Sequence, residues 1–432
     1  MPISADSTGL YIVKETVSGE TPASPVWLQF PPVSESVATN ATTTISNTLN
    51  ATRQVLDSIL TGMDISGSVE IELARTPAMD LILESVMASA WDVTGDPNYT
   101  MSVGLDQVTF SLMKRWPRPG SPGDYIYNIY TGCTADTLSV TMTAGSEVTA
   151  SVGLIGKGVD AALNTTEPVG STYPALTDFN VLRAPGVKGI TLDNEAGTLA
   201  PLITDSCTTD ITLNVTNNGR GIQCLGTLGN KETVLGRFES SVDMTIFFSD
   251  NNIMEDFLKQ SAMNVTFTIG DADTDNHYKF TLPKGKLSSE TVVAGGTNTD
   301  VVNALTFQGL VDTTAVPPTT VKIDTLAVGA SAPKFVSGLI ADGAATDVVV
   351  TFSEPVAIGN STGVTINVDG APANISSQVA AASDVTFTLD TPVTVGQIVT
   401  FQVDATNTIT DTTDGLPMSA MDKAESLSNN VA

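Results

Sequence analysis

Glu70 and Glu72, two residues apart in the segment SVEIEL, are the residues whose spacing most directly suggests chemistry. On a strand they share one face, roughly 7 Å apart, a separation open to the acid and base of glycoside hydrolysis. Catalytic carboxylates also need a cleft with apolar walls that drives their pKa values apart. No cluster of tryptophans marks a sugar groove near them, and the plainer reading is a solvated strand face. Asp271, Asp273 and Asp275 in DADTDN have the first ligand spacings of a calcium loop, but its sixth position is Asn276 and its twelfth Leu282, where Gly and Glu are needed. Between VTFTIG and YKFTLP the acids read as a hairpin turn. His277, the one histidine, sits beside that turn and reads as a surface residue. A single imidazole leaves neither a multi-histidine metal centre nor a Ser-His-Asp site much to work with. Cys133, Cys207 and Cys224 have no CxxC spacing and read as small buried side chains. GLIGKG (153–158) and AGGTNTD (294–300) lack the phosphate-loop pattern and read as strand ends and turns. The expectation is a protein that is not an enzyme, with no catalytic residue, cofactor or metal.

The elements carrying these residues are mostly strands. Apolar and polar residues alternate in SVEIEL (68–73), QVTFSLM (107–113), TLSVTM (137–142) and VTASVGLIG (148–156). They alternate again in ITLNVT (211–216), SVDMTIFF (241–248), NVTFTIG (264–270), YKFTLP (278–283) and ALTFQGL (304–310). Two stretches carry helical spacing. AMDLILESVMASA (78–90) aligns Met79, Leu83, Val86 and Met87, and NNIMEDFLKQSA (251–262) aligns Ile253, Phe257 and Leu258. Thr76-Pro77 and Ser249-Asp250 are their start signals.

The strand–turn–helix order recurs. SVEIELARTPAMDLILESVMASA lies over SVDMTIFFSDNNIMEDFLKQSAM, so Asp243 takes the place of Glu70. Each helix leads to a VTF strand, a tyrosine-containing strand, a strand ending Ala-Gly (TLSVTMTAG, KLSSETVVAG) and one ending Ile/Phe-x-Gly. Arg53 and Arg220 precede the shared strand. The repetition predicts a duplicated β domain with one helix per copy. DTTAVPPTT (312–320) reads as a linker. Beyond it, VKIDTL, DVVVTF, VTINV, DVTFTL and QIVTFQV predict a small β-sandwich over 321–410. From about Asp411 the chain is polar and is expected to be loosely held.

Composition narrows the partners. The 432 residues carry 47 acidic and 19 basic side chains, a net charge of −28. Such a surface is unsuited to gripping nucleic acid through phosphates. Three lysines against twelve acids leave residues 319–432 at −9, so most of the acidity belongs to the duplicated part. No run of about 18 apolar residues is long enough to span a membrane. MPISADSTGLYIVKE has neither a basic nor an apolar leader region, so secretion is not expected.

The opening YIVKETVSGETPASPVWLQFPP, with its Lys-Glu-Thr-x-x-Gly-x-x-Pro run, the Thr/Asn-rich stretch 34–62, and the segments ILTGMDISGSVEIEL and RFESSVDMTIFF together resemble the phage tail tube proteins, the major tail subunits of long-tailed siphophages. The resemblance covers residues 10–311. DVVVTFSEPV (347–356) is similar to bacterial immunoglobulin-like domains. The resemblance implies a mainly β chain with two tandem tail-tube β-sandwich or barrel domains, each with one helix, and a C-terminal Ig-like sandwich. The domains would be 1–190 with an N-terminal arm and a long loop at 34–62, 191–311, a linker at 312–320, 321–410, and a tail at 411–432. It implies homotrimeric, pseudo-hexameric rings stacked into a virion tube and assembled in the host cytoplasm. The loop and arm would reach adjacent rings, and the two helices would cover the outside. Its partners would be copies of itself and the tail tip, tape measure and terminator proteins. DNA would pass without specific binding through a lumen lined by Glu70, Glu72 and Asp243. The alternative is a bacterial surface or matrix-binding protein with Ig-like modules.

Overall fold

The alternating runs pair into antiparallel sheets in a computed structural model that describes residues 3–431, except 50–53, 96, 160–166, 177–178, 195–207, 249–250, 298, 414 and 422. Arg53, Cys207 and the Ser249-Asp250 start signal lie outside the described residues. The chain divides into two units. The first comprises Met1–Asp92, Thr100–Gly270 and Asn276–Asp324, and the second Val93–Tyr99, Asp271–Asp275 and Thr325–Ala432.

In the first unit the principal strands are β1 (Gly9–Lys14), β2 (Ser34–Glu35), β3 (Ala38–Ile45), β4 (Ser58–Glu72), β5 (Phe110–Pro117), β6 (Tyr125–Thr143) and β7 (Thr149–Gly156), with helix α1 (Pro77–Met87) after β4. The same order follows in β8 (Val187–Asn194), β9 (Thr208–Thr216), β10 (Glu239–Phe247), α2 (Asn252–Lys259), β11 (Met263–Gly270), β12 (His277–Ala294) and β13 (Val301–Gly309). Their pairing repeats as well. β4 pairs β7, β7 pairs β6 and β6 pairs β5, just as β10 pairs β13, β13 pairs β12 and β12 pairs β11. The long strands β6 and β12 each pair one strand along the first half and another along the second, and each has a register shift against the latter, at Ala135/Thr137 and at Leu287/Ser289. A bulge bends a strand enough to pass it from one layer to the other. The duplication predicted from residue patterns is thus a duplication of topology.

One apolar cluster spans both copies, from Leu10 and Ile12 to Phe307. In α1, Thr76 accepts the Met79 amide at 3.1 Å, Pro77 occupies the first turn and Ala88 closes the helix in the left-handed region. Met79, Leu83, Val86 and Met87 are all buried, as their spacing requires. In α2 the stripe is only partly covered. Ile253 is buried and Phe257 half-buried, but Leu258 is 72% exposed. The Lys-Glu-Thr-x-x-Gly run has a structural meaning here: the buried Glu15 carboxylate accepts from the Gly19 amide (2.7 Å), the Gly132 amide (2.9 Å) and the Ser111 hydroxyl (2.7 Å).

Several expectations are corrected. The stretch 34–62 is not a loop: β3 pairs β4 from Ala38↔Ser66 to Ile45↔Ser58, a hairpin of Thr-rich strands. Val37 joins the core, but from Ala38 to Ile45 and from Ser58 to Thr61 nearly every side chain is exposed, so no alternation marks these strands in the sequence. His277 is 6% exposed, because it opens β12 opposite Gly270 instead of lying in the turn. Cys133 is buried, but Cys224 is exposed.

The second unit is a sandwich. One sheet has the order β17 (Ile375–Ala381), β18 (Asp384–Leu389), β15 (Asp347–Phe352), β14 (Phe335–Ile340), and the other holds β16 (Val364–Val368) beside β19 (Val399–Val403). Val350, Phe387, Ile366 and Phe401 meet in its core. Residues beyond 411 are not loosely held. Glu425–Ser426 pairs β19, Ser428–Asn429 pairs β14, and Met418 and Leu427 enter the core. The three acids of the DADTDN turn are held by protein donors, Asp271 by Lys334 (2.8 Å), Asp275 by the Gly329 amide (2.7 Å) and Asp273 by Ser419.

Asn217 and Tyr278 are among the polar links between the copies of the first unit. Asn217, buried just after β9, donates to the Val86 carbonyl (2.8 Å) and the Ala135 carbonyl (3.2 Å). Tyr278 donates to Asp80 of α1 at 2.6 Å, and burial, with the Asp80 charge, pushes its phenol well above the ordinary range. Replacing Asn217 by Ala leaves two buried carbonyls without that donor and is expected to cost about 2 kcal/mol in urea unfolding. Because the folded-state pKa of Tyr278 is raised, its contribution is intact below the unfolded value of about 10 and is lost as pH rises beyond it. Unfolding followed from pH 8 to 12 is expected to show a smaller alkaline loss of stability in Tyr278→Phe than in the wild type.

Candidate functional site

The strands of the central sheet run in the order β3/β2, β4, β7, β6, β9, β10, β13, β12, with β2 and β3 sharing one place beside β4. Strand alternation gives this sheet two unlike faces. Val69, Ile71, Val152, Val140, Leu213, Val242, Met244 and Leu305 point into the core. Their neighbours Ser68, Glu70, Ser151, Ser139, Asn214, Ser241, Asp243 and Thr306 point the other way and are partly exposed.

Glu70, Glu72 and Asp243 all lie on this polar face. Glu70 is directly opposite Ser151, whose hydroxyl donates to it at 2.6 Å. Asp243 is directly opposite Thr306, whose hydroxyl donates to it at 2.8 Å. The two copies therefore share a cross-strand hydroxyl–carboxylate pair at matching positions. Asp243 also accepts from Asn214 Nδ2 (3.0 Å), and Asn214 accepts from Ser139 (2.8 Å). This chain of bonds crosses the seam where β6 of the first copy pairs β9 of the second. Glu72 is exposed at the strand end.

Sequence reasoning missed three further acids on the same face, Asp64, Asp210 and Glu239. The alternating registers of β4, β9 and β10 place them beside the three expected ones, and each was legible only once the strand's extent was known. Lys286 is the one basic residue that the described strands of this sheet put there. The described strands thus place six acids and one lysine on this face, interleaved with Ser, Thr and Asn, and Arg237, just ahead of β10, ion-pairs Glu239 at 3.3 Å.

This arrangement suits a solvated wall better than a catalytic cleft. Glu72 edges a space of about 10 Å³, which holds no more than about one water. A shallow groove of about 280 Å³ runs along the seam, lined by Ser139, Asn214, Val215, Glu239, Ser241 and Gln308, and Asp210 borders an open pocket of about 310 Å³ beside Met142, Val187 and Ile190. Among the described residues no group of three or more His, Cys, Asp or Glu side chains is placed to hold a metal ion. GLIGKG falls at the end of β7 and AGGTNTD between β12 and β13, both strand-end positions. No described helix is long and apolar enough to cross a membrane.

The sheet also ends in two open edges. Among the described residues, β2 and β3 pair only β4 on one side, and on the other the outer half of β12, residues 286–294, pairs only β13. Such edges are templates for a further strand.

The phage tail tube protein family matches residues 5–309. No curated protein matches the chain. The match runs across both copies and stops at the end of β13.

Because each hydroxyl–carboxylate pair is partly exposed, it adds little to stability. Thr306→Val is expected to shift the urea midpoint by an amount equivalent to less than about 1 kcal/mol. A larger loss would mean that the face is a packed interior and not a wetted wall.

Proposed function

The chain belongs to the phage tail tube proteins, and from that premise we propose that it builds the tail tube as stacked homotrimeric rings of the siphophage type, whose acid-rich bore carries DNA to the host. Membership makes it a structural virion protein that self-assembles and meets other tail proteins. The ring, the bore and the DNA route are the proposal.

The observation that carries the reading is the β6–β9 seam. There the outer half of one copy's long strand pairs antiparallel with β9 of the next copy, from Asp210↔Thr143 to Thr216↔Thr137. The chain's open edges are the same two elements, the outer half of β12 and the strand beginning at β2. Repeating the seam between chains would satisfy both edges. Two copies per chain fit three chains into a six-fold arrangement, and closure leaves no edge.

The polar face would then line the bore. Duplex DNA carries one negative charge per about 1.7 Å of its axis, and a basic wall would hold it by counterion release. A wall with six acids and one lysine per chain offers few phosphate sites. Its hydroxyls and amides keep it wetted, so the polyanion slides. The sandwich beyond residue 325 would be an Ig-like decoration. The hairpin β3–β4, with Leu56, Ile59 and Leu60 exposed, would reach an adjacent ring together with the N-terminal arm. Tail tip, tape measure and terminator proteins would meet the tube, and assembly would take place in the host cytoplasm.

Electron microscopy of the purified full chain is expected to show stacked rings or hollow tubes with three chains per ring, and a species that stays monomeric at high concentration would overturn this. Changing Glu70, Glu72 and Asp243 together to Lys in the phage is expected to leave tubes assembled and to slow DNA ejection. An unaltered ejection rate would remove these acids from the bore.

A further inference from the structure

We propose that the seam between chains is chemically distinct from the seam within a chain, closed by a Lys114–Glu35–Glu290 cluster in which Glu290 comes from the neighbouring copy. This rests on the ring reading above and adds to it a register and a recognition chemistry.

The internal repeat supplies the register. Glu70↔Ser151↔Ser139 in the first copy corresponds to Asp243↔Thr306↔Ser289 in the second. Likewise Ser34 opposite Glu70 corresponds to Thr212 opposite Asp243. The intrachain pairs Thr141↔Thr212, Val140↔Leu213 and Met142↔Ile211 therefore translate, between chains, into Thr291 with Ser34, Glu290 with Glu35, and Val292 with Val33. Exposure agrees. Met142 and Ile211 are 3% and 2% exposed, whereas Val292 and Val33 are 40% and 67% exposed, as expected of a pair whose partner is on another molecule.

At the central position the chemistry changes. Val140 and Leu213 are apolar and buried within the chain. Their counterparts are two glutamates. Glu290 accepts from Asn303 Nδ2 at 2.9 Å through Oε1, but its Oε2 and the Asn303 Oδ1 are buried with no hydrogen-bond partner. Glu35 is ion-paired with Lys114, a buried lysine that also donates to the Val37 carbonyl at 2.6 Å. An ammonium has three donors. Two are directed at Glu35 and Val37, with the Tyr130 ring centroid 5.6 Å away, and in the proposed seam the third meets the Glu290 carboxylate of the neighbouring copy. Inward-pointing charge on an edge strand blocks indiscriminate pairing. Here it admits only an edge that brings a lysine, and the occupant is a second copy of this chain.

The test uses the full chain with Cys207 and Cys224 changed to Ser. Ser34→Cys with Thr291→Cys is expected to give covalent dimers and trimers on oxidation. The intrachain control, Thr141→Cys with Thr212→Cys, is expected to cross-link without changing mass. Rings that form without a Ser34–Thr291 cross-link, or that cross-link Ser36→Cys to Thr291→Cys instead, overturn this register but leave the ring reading intact; the absence of rings overturns both. Glu290→Gln, which keeps an acceptor for Asn303 Nδ2, is expected to raise the concentration for half-assembly about fivefold or more, with the monomer's urea midpoint unchanged. Assembly of that variant at the wild-type concentration would overturn the cluster.

Discussion

An antiparallel sheet cannot end in water without exposing a row of backbone donors and acceptors, and this constraint governs the first unit. Within the chain it is met once, where β6 pairs β9 and the two copies become one continuous sheet over one core. At the two outer edges, β2–β3 and the far half of β12, it is left open. A hairpin of exposed Thr-rich strands and a half-strand bearing Val292 and Val293 would be liabilities in an isolated monomer. They make physical sense in a molecule whose final state supplies partners for both.

The same sheet divides its chemistry by face. Apolar residues on one side hold the copies together, and α1 is buried against them. On the other side, hydroxyls and amides ration out the carboxylates, each of Glu70 and Asp243 being paired with a neutral donor and not with a cation. Glu239, by contrast, is bridged by Arg237 at 3.3 Å. Duplication then repeats both devices, so one set of local rules is used twice per chain and, in the proposed ring, six times.

Much of this was legible in the residues because half-buried strands alternate. SVEIEL and SVDMTIFF announced their strands, their inward residues and the equivalence of Glu70 with Asp243. The helix signals did the same for α1, whose Thr76-Pro77 start is intact. What failed did so for physical reasons. The strands from Ala38 to Ile45 and from Ser58 to Thr61 have no buried face, and without burial a strand has no period to read. His277 was judged by its neighbours in sequence, but its place opposite Gly270 is what buries it. Leu258 obeys helical spacing yet faces outward, because α2 is covered on less of its surface than α1. The residues after 411 look polar, but a few apolar ones, Met418 and Leu427 among them, suffice to anchor them.

The sequence by itself determined which residues form strands, which side chains share a face, that the pattern occurs twice, and that the whole is strongly acidic. These are local properties, set by side-chain period and composition. Only the tertiary structure decided which strands are neighbours, that the copies join through β6 and β9, and that both ends of the sheet remain open. It also decided that Glu290 and Glu35 stand where the internal seam has Val140 and Leu213. Pairing and register depend on contacts between residues far apart in the chain, and no local pattern encodes them.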